Sequence, residues 1–172
     1  RLYLNQGDGT FVDGIQTHIR WSPGRIYPEG TDVGDLDGDG DIDLFAYGYP
    51  FINHNGKYRQ LCGKLWAGIP CDAEARLDEG GVFEDVDGDG KLEFVISYHG
   101  IDGRLKKYTM LLFRHKNGEL VLDQKASSKF YGFHTYLRGK DFDGDRKSDL
   151  LIRQPGRLLF FRNGRWVNAL PL

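Results

Sequence analysis

Thirteen carboxylic acids are concentrated in three nine-residue stretches: "DLDGDGDID" from Asp35, "DVDGDGKLE" from Asp85 and "DFDGDRKSD" from Asp141. Carboxylates this close repel one another, so each stretch needs a counter-charge or must stay open to water. The spacing points to a counter-ion. Acids recur at positions 1, 3, 5 and 9, with glycine at position 4 and, in the first two stretches, at position 6. Alternate side chains can then curl around one centre, while glycine permits the left-handed backbone such a curl requires. An all-oxygen ligand set selects a hard cation. A flexible cage of many carboxylates suits Ca²⁺, with its roughly six to eight ligands, better than Mg²⁺.

The side-chain ligands predicted on this basis are Asp35, Asp37, Asp39 and Asp43 in the first loop. In the second they are Asp85, Asp87, Asp89 and Glu93, and in the third Asp141, Asp143, Asp145 and Asp149. The position-7 residues Asp41, Lys91 and Lys147 are assigned through their backbone carbonyls, so a lysine there does no harm. Three calcium sites follow. The third is expected to be weaker or reshaped, because Arg146 stands where the others have glycine, and a positive φ there costs about 1 kcal/mol. An EF-hand is excluded, since it needs a bidentate glutamate at position 12 between two helices. Position 12 is Ala46, Ile96 and Ile152, all in predicted strands. The plainer alternative, polar Asp-Gly turns with no metal, is weakened by three copies in register.

The elements that must carry these loops read as strands. Short runs of Leu, Val, Ile, Phe and Tyr lie between Gly, Asn and Asp, without helical periodicity, and this predicts an all-β chain. "IDLFAYGY", "LEFVISYH" and "SDLLIRQ" follow the three loops as strand-like runs. The loops start 50 and 56 residues apart, and such a period signals a solenoid, propeller or array. Asn-Gly pairs at Asn55, Asn117 and Asn163 predict hairpins with type I′ turns. "RLYLNQGDGTFVD" is a fourth hairpin, with Asp8-Gly9 in its turn. Four hairpins and three acidic loops make about three and a half units: a half unit over 1–30, then units of approximately 31–80, 81–136 and 137–172.

These residues resemble the FG-GAP/VCBS repeat family, the blades of integrin-α-like β-propellers. The family's calcium loop reads D-x-D-x-D-G-x-x-D before a hydrophobic strand. "DLDGDGDID" matches it fully, "DVDGDGKLE" ends in glutamate, and "DFDGDRKSD" departs at Arg146. "LYLNQGDGTFVD" is also similar to the family's "N-x-G-D-G-T-F" hairpin. The resemblance implies β-propeller-type blades of four antiparallel strands around an axis, with calcium between the first two strands of each. It implies no single activity, because such blades occur in adhesion receptors, lectin-like modules, toxin-complex propellers and polysaccharide-degrading enzymes. Propellers usually have about four to eight blades, so this chain is expected to be part of a larger propeller or to assemble with copies of itself.

Other features narrow the function. Cys62 and Cys71 can close a short loop as a disulfide adding about 2–3 kcal/mol. Their spacing suits neither a redox pair nor a zinc knuckle. The formal charge is −2, yet outside the acidic loops 12 acids face 20 bases. The basic clusters Arg104, Lys106, Lys107 and Arg114, His115, Lys116 read as solvated strand edges that discourage aggregation. No nucleic-acid motif, G-x-S-x-G, H-E-x-x-H or Walker loop is present. His18, His54, His99, His115 and His134 share no ligand spacing and read as surface or packing residues. Trp21, Trp66 and Trp166 read as inter-blade core rather than sugar platforms. The irregular insertion 62–80 is where a binding loop would be sought. No apolar run approaches the roughly 18 residues of a membrane span, and a start at Arg1 rather than Met suggests a trimmed terminus.

The expectation is a calcium-stabilised module that is extracellular, secreted or on a cell surface. It would serve binding, adhesion or structural assembly, with no catalysis of its own. Its partner would be a protein, a glycan, a second copy or the remaining blades of the same propeller. One alternative is a segment of a secreted polysaccharide lyase or hydrolase; another is a self-assembling filament or complex subunit.

Overall fold

A computed structural model describes residues 3–14, 19–20 (backbone only), 30–46, 48–64, 80–97, 110–127, 137–152 and 157–169. Among these, every regular element is a strand. β1 (Tyr3–Asn5) and β2 (Phe11–Asp13) form a hairpin that is a sheet by itself. β3 (Ile19–Arg20) runs parallel to the outer strand of the next sheet, which is the meander β4 (Asp32–Gly34), β5 (Asp43–Ala46), β6 (Tyr49–His54) and β7 (Lys57–Gln60). The second meander is β8 (Gly81–Glu84), β9 (Glu93–Ser97), β10 (Met110–Lys116) and β11 (Glu119–Leu122). The third is β12 (Leu137–Lys140), β13 (Asp149–Ile152), β14 (Arg157–Arg162) and β15 (Arg165–Asn168). Each meander is a propeller-like blade, antiparallel throughout, with its acidic loop between the first two strands. No closed ring is formed by the described residues.

The turns carry the chain reversals that the sequence encodes. Asn55 and Gly56 have φ of 52° and 78°, Asn117 and Gly118 52° and 79°, and Asn163 and Gly164 53° and 73°. Two consecutive positive φ values define the type I′ turn, whose twist matches that of the flanking strands. The first hairpin differs. Gly7 and Gly9 take the positive φ values, at 84° and 89°, and Asp8 between them does not. Its loop is longer, closed by Gln6 N–H donating to the Thr10 carbonyl at 3.0 Å. The Asp8 carboxylate accepts from Thr10 N and Thr10 Oγ, at 2.9 and 2.6 Å. The run "IDLFAYGY" is not one strand either, because β5 ends at Ala46, Gly48 turns at φ 75°, and β6 starts at Tyr49.

The core is laid down by the period of two along each strand. In the middle blade, Phe83, Phe94, Ile96, Leu111 and Phe113 face the first blade and meet Phe45, Phe51 and Leu61. Their neighbours Val82, Val95, Met110 and Leu112 face the third blade and meet Leu137, Leu150, Ile152, Leu159 and Phe161. Both faces of this sheet are therefore buried, which is why β9 and β10 read as continuous apolar runs. Phe94 is the hub of the first layer, 5.2 Å from the Phe45 ring centroid and 5.5 Å from that of Phe83. Trp166 lies in the second layer against Phe161, edge to face at 4.8 Å. It is core, as expected; Trp21 and Trp66 lie outside the described residues.

Inner strands lock successive blades and so position the loops. Phe83 N–H donates to Asp32 Oδ2 at 2.7 Å, tying β8 to β4. Leu92, next to the ninth position of its loop, fills the space beside Gly34, where a Cβ would meet Leu92 Cδ1 at 2.6 Å. Glu84 likewise occupies the space beside Gly139, and Ser148 N–H donates to the Asp85 carbonyl at 2.8 Å.

Candidate metal centres

All three loops share one backbone scaffold. The first aspartate is an acceptor hub: in loop 35–43, Asp35 Oδ1 accepts from Gly38 N and Asp39 N at 2.8 and 3.1 Å, and Oδ2 from Gly40 N at 3.0 Å. Asp85 repeats this with Gly88 N, Asp89 N and Gly90 N at 2.7, 3.1 and 2.9 Å. Asp141 accepts from Gly144 N and Arg146 N at 2.6 and 2.9 Å. Arg146 holds the expected left-handed conformation, φ 66°. The third loop thus keeps the shared path, and the arginine bears the strain. The ninth residue closes each loop by accepting from position 2. Asp43 takes Leu36 N at 2.7 Å, Glu93 takes Val86 N at 3.1 Å, and Asp149 takes Phe142 N at 3.0 Å. Ala46, Ile96 and Ile152 lie in β5, β9 and β13, as a loop that is not an EF-hand requires.

This scaffold draws carboxylates together. Oxygens of Asp35, Asp37 and Asp39 lie within 4.8 Å of one another, as do those of Asp85, Asp87 and Glu93, and of Asp141, Asp143 and Asp149. Asp43, Asp89 and Asp145 stand outside these three-residue groups. The first loop holds a further group, Asp39, Asp41 and His54. Position 7 uses its N–H inside the loop: Asp41, Lys91 and Lys147 donate to Asp39, Asp89 and Asp145 Oδ1 at 2.8, 2.9 and 3.0 Å. The Asp41 carboxylate itself accepts from Asn55 N at 2.7 Å.

Burial makes the ninth carboxylates unusual. Asp43, Glu93 and Asp149 are all buried. Loss of water pushes Asp43 up to about 6 and Glu93 up to about 7, and it also raises Asp149. Backbone donors and, for Glu93, the Arg114 charge oppose the rise without cancelling it. Oδ1 of Asp87 and Oδ1 of Asp149 are buried and accept no hydrogen bond. A buried carboxylate oxygen left unsatisfied is costly, and a hard cation is the partner that an all-oxygen set would take. The residues present therefore fit calcium.

Four cationic or polar contributors lie outside the sequence-predicted ligand sets. Arg114 belongs to a cluster expected to form a solvated basic edge, and the structure corrects this: its side chain is half-buried and ion-paired. Its Nη1 donates to Asp87 Oδ2 and Glu93 Oε1, both at 2.8 Å, and its Nε to Asp123 Oδ2 at 3.1 Å. The β9–β10 register places it opposite Glu93, so the buried acid draws it inward. Arg162 pairs with Asp143 through Nη2 and with Asp145 through Nη1 at 3.0 Å, and its Nη1 lies 3.9 Å from Asp149 Oδ1. His54, read as a surface or packing residue, is exposed and reaches Asp39 Oδ2 at 3.4 Å. In the first blade, Asn53 N donates to Asp43 Oδ1 at 2.8 Å, so both oxygens of that carboxylate are held by backbone. Of the cysteines, Cys62 follows β7, and no free cysteine occurs among the described residues; Cys71 lies outside them. So do residues 65–79 of the insertion, the Arg104–Lys107 cluster, His18, His99 and His134.

Fold and loops together define a class: all-β, blade-like meanders that carry an acidic loop between their first two strands. Residues 1–46 match the family described as FG-GAP-like repeat. The match runs from the β1–β2 hairpin through the first acidic loop to the end of β5; the second and third loops lie beyond it. A search of curated proteins finds no match. FG-GAP-like repeats are modules often found in binding or adhesion proteins, typically extracellular and often calcium-binding. No helix among the described residues is long and apolar enough to cross a membrane.

Proposed function

We propose that this chain is a calcium-stabilised extracellular module for binding, adhesion or structural assembly, without catalysis of its own. The observation that carries the reading is the threefold recurrence of one carboxylate scaffold, two copies of which keep a buried carboxylate oxygen with no hydrogen-bond donor. Calcium would be held by Asp35, Asp37 and Asp39, by Asp85, Asp87 and Glu93, and by Asp141, Asp143 and Asp149. There it would neutralise clustered charge and fix the first strand pair of each blade. Sites of roughly 10⁻⁴–10⁻³ M would be filled at the millimolar calcium found outside cells. A Cys62–Cys71 bridge belongs to the same reading, since disulfides persist in oxidising compartments. The test is thermal melting with calcium and with EGTA: chelation is expected to lower the midpoint by several degrees, and an unchanged midpoint would sink the structural-calcium claim.

One observation favours self-assembly as the particular role. The β1–β2 hairpin is a two-stranded sheet with Tyr3, Phe11 and Val12 exposed, and two strands alone rarely form a stable sheet in water. Sedimentation is expected to show dimers or larger species; a lone monomer at high concentration would remove this role.

A further inference from the structure

The three loops share a scaffold but not what already stands against their carboxylates. In loop 85–93, the Arg114 guanidinium bridges Asp87 and Glu93, two of the three acids whose oxygens converge there. In loop 141–149, Arg162 pairs with Asp143, from the converging group, and with Asp145 beside it. Loop 35–43 has no arginine at either equivalent place. Extending the β5–β6 register by one pair sets Ile52, not a cation, opposite Asp43. Its residue before the Asn-Gly turn is His54, whose exposed ring contacts Asp39 at 3.4 Å.

We propose that Arg114 and Arg162 are built-in competitors for the cation, so that calcium fills loop 35–43 first and enters the other two loops only by displacing a guanidinium. This rests on the calcium reading above and adds an order of filling to it. The reason is direct. The guanidinium nitrogens bond the same carboxylates a cation must use, and a divalent ion a few ångströms from a guanidinium meets like-charge repulsion, stronger at the half-buried Arg114 and more screened at the exposed Asp143 and Asp145. Each hydrogen bond to an ionised partner is also among the stronger ones a protein makes, and it must be given up.

Both arginines have somewhere to go. Arg114 Nε is already bonded to Asp123 Oδ2 at 3.1 Å. Asp123 is itself fixed by Lys125 N and Ala126 N, each at 3.0 Å from its Oδ1. The guanidinium can swing off Asp87 and Glu93 and keep this partner. Arg162 lies over the Phe160 ring at 4.9 Å and donates to the Phe161 carbonyl at 3.1 Å. Loops 85–93 and 141–149 thus have two states, closed on an internal cation or open to an external one.

The position-6 amides report each loop separately, because Gly40, Gly90 and Arg146 N–H all donate to the hub aspartate of their own loop. A calcium titration of the whole chain followed by ¹⁵N NMR is expected to move Gly40 at the lowest calcium, and Gly90 and Arg146 later. R114Q is expected to lower the Gly90 midpoint about tenfold or more, and R162Q to do the same for Arg146, with Gly40 unmoved. R162Q supplies the test by itself if R114Q does not fold, because Arg162 is partly exposed. Equal midpoints for all three amides, unchanged by either substitution, would overturn the competition while leaving calcium binding intact. No calcium response at any amide, in the parent or either variant, would overturn both this inference and the calcium reading.

Discussion

Loop 35–43 and loop 85–93 share five of nine residues, yet they settle their negative charge differently. Both place an aspartate hub under three backbone amides, and both bury the carboxylate at position 9. Asp43 is then held wholly by backbone, from Leu36 N and Asn53 N, whereas Glu93 divides its oxygens between Val86 N and the side chain of Arg114. One extra methylene makes the difference useful: glutamate reaches from the same strand position to a guanidinium across the sheet. The lesson is that a shared motif fixes the backbone of a loop but not its charge balance, which depends on the strand that packs over it.

The two loops should differ most when the carboxylate at position 9 is removed. D43A strands two buried amides, each costing about 1–3 kcal/mol, so a loss of about 2–6 kcal/mol is expected in urea unfolding of the metal-free protein. E93A strands only Val86 N, while Arg114 keeps Asp87 and Asp123, and about 1–2 kcal/mol is expected. Equal losses would show that the two loops are built alike after all.

The next effect is on pH. Asp43 rises from 3.8 to about 6 and Glu93 from 4.5 to about 7 on folding, both through burial. A carboxyl raised in the folded state binds its proton more tightly there than in the unfolded chain. Its contribution is complete below the unfolded value and is lost as pH climbs through the folded one. Metal-free stability is therefore expected to fall between about pH 4 and 7, by several kcal/mol. D43N should remove the lower part of that fall and E93Q the upper part. Denaturant midpoints that rise over this range in EGTA would contradict it.

The smallest effect sharpens the third loop. Arg146 sits at φ 66° where its counterparts are Gly40 at 93° and Gly90 at 83°. R146G should raise metal-free stability by about 0.5–1 kcal/mol through relief of left-handed strain, seen as a higher melting temperature. A fall would mean the Arg146 side chain does more than occupy a bend.

Much of this was legible in one dimension because it is local. Asn-Gly pairs determine type I′ turns through the φ preferences of two residues, and Asn55, Asn117 and Asn163 obey. The Asp8-Gly9 hairpin does not, since glycines on both sides of Asp8 let a longer loop form. The D-x-D-G-D spacing sets the aspartate hub, because the bonds it makes span only three to five residues. Tertiary structure alone decided the rest. Arg114 and Glu93 are 21 residues apart, and their meeting depends on the register across the β9–β10 connection, which no local preference sets. Likewise, burial of both faces of the middle blade follows from having a neighbour on each side. Three acidic loops and the strands they join are encoded locally, since turn and loop chemistry acts over a few bonds. Which loops carry their own cation was decided by packing, since a charge pair forms only where two distant strands are brought into register.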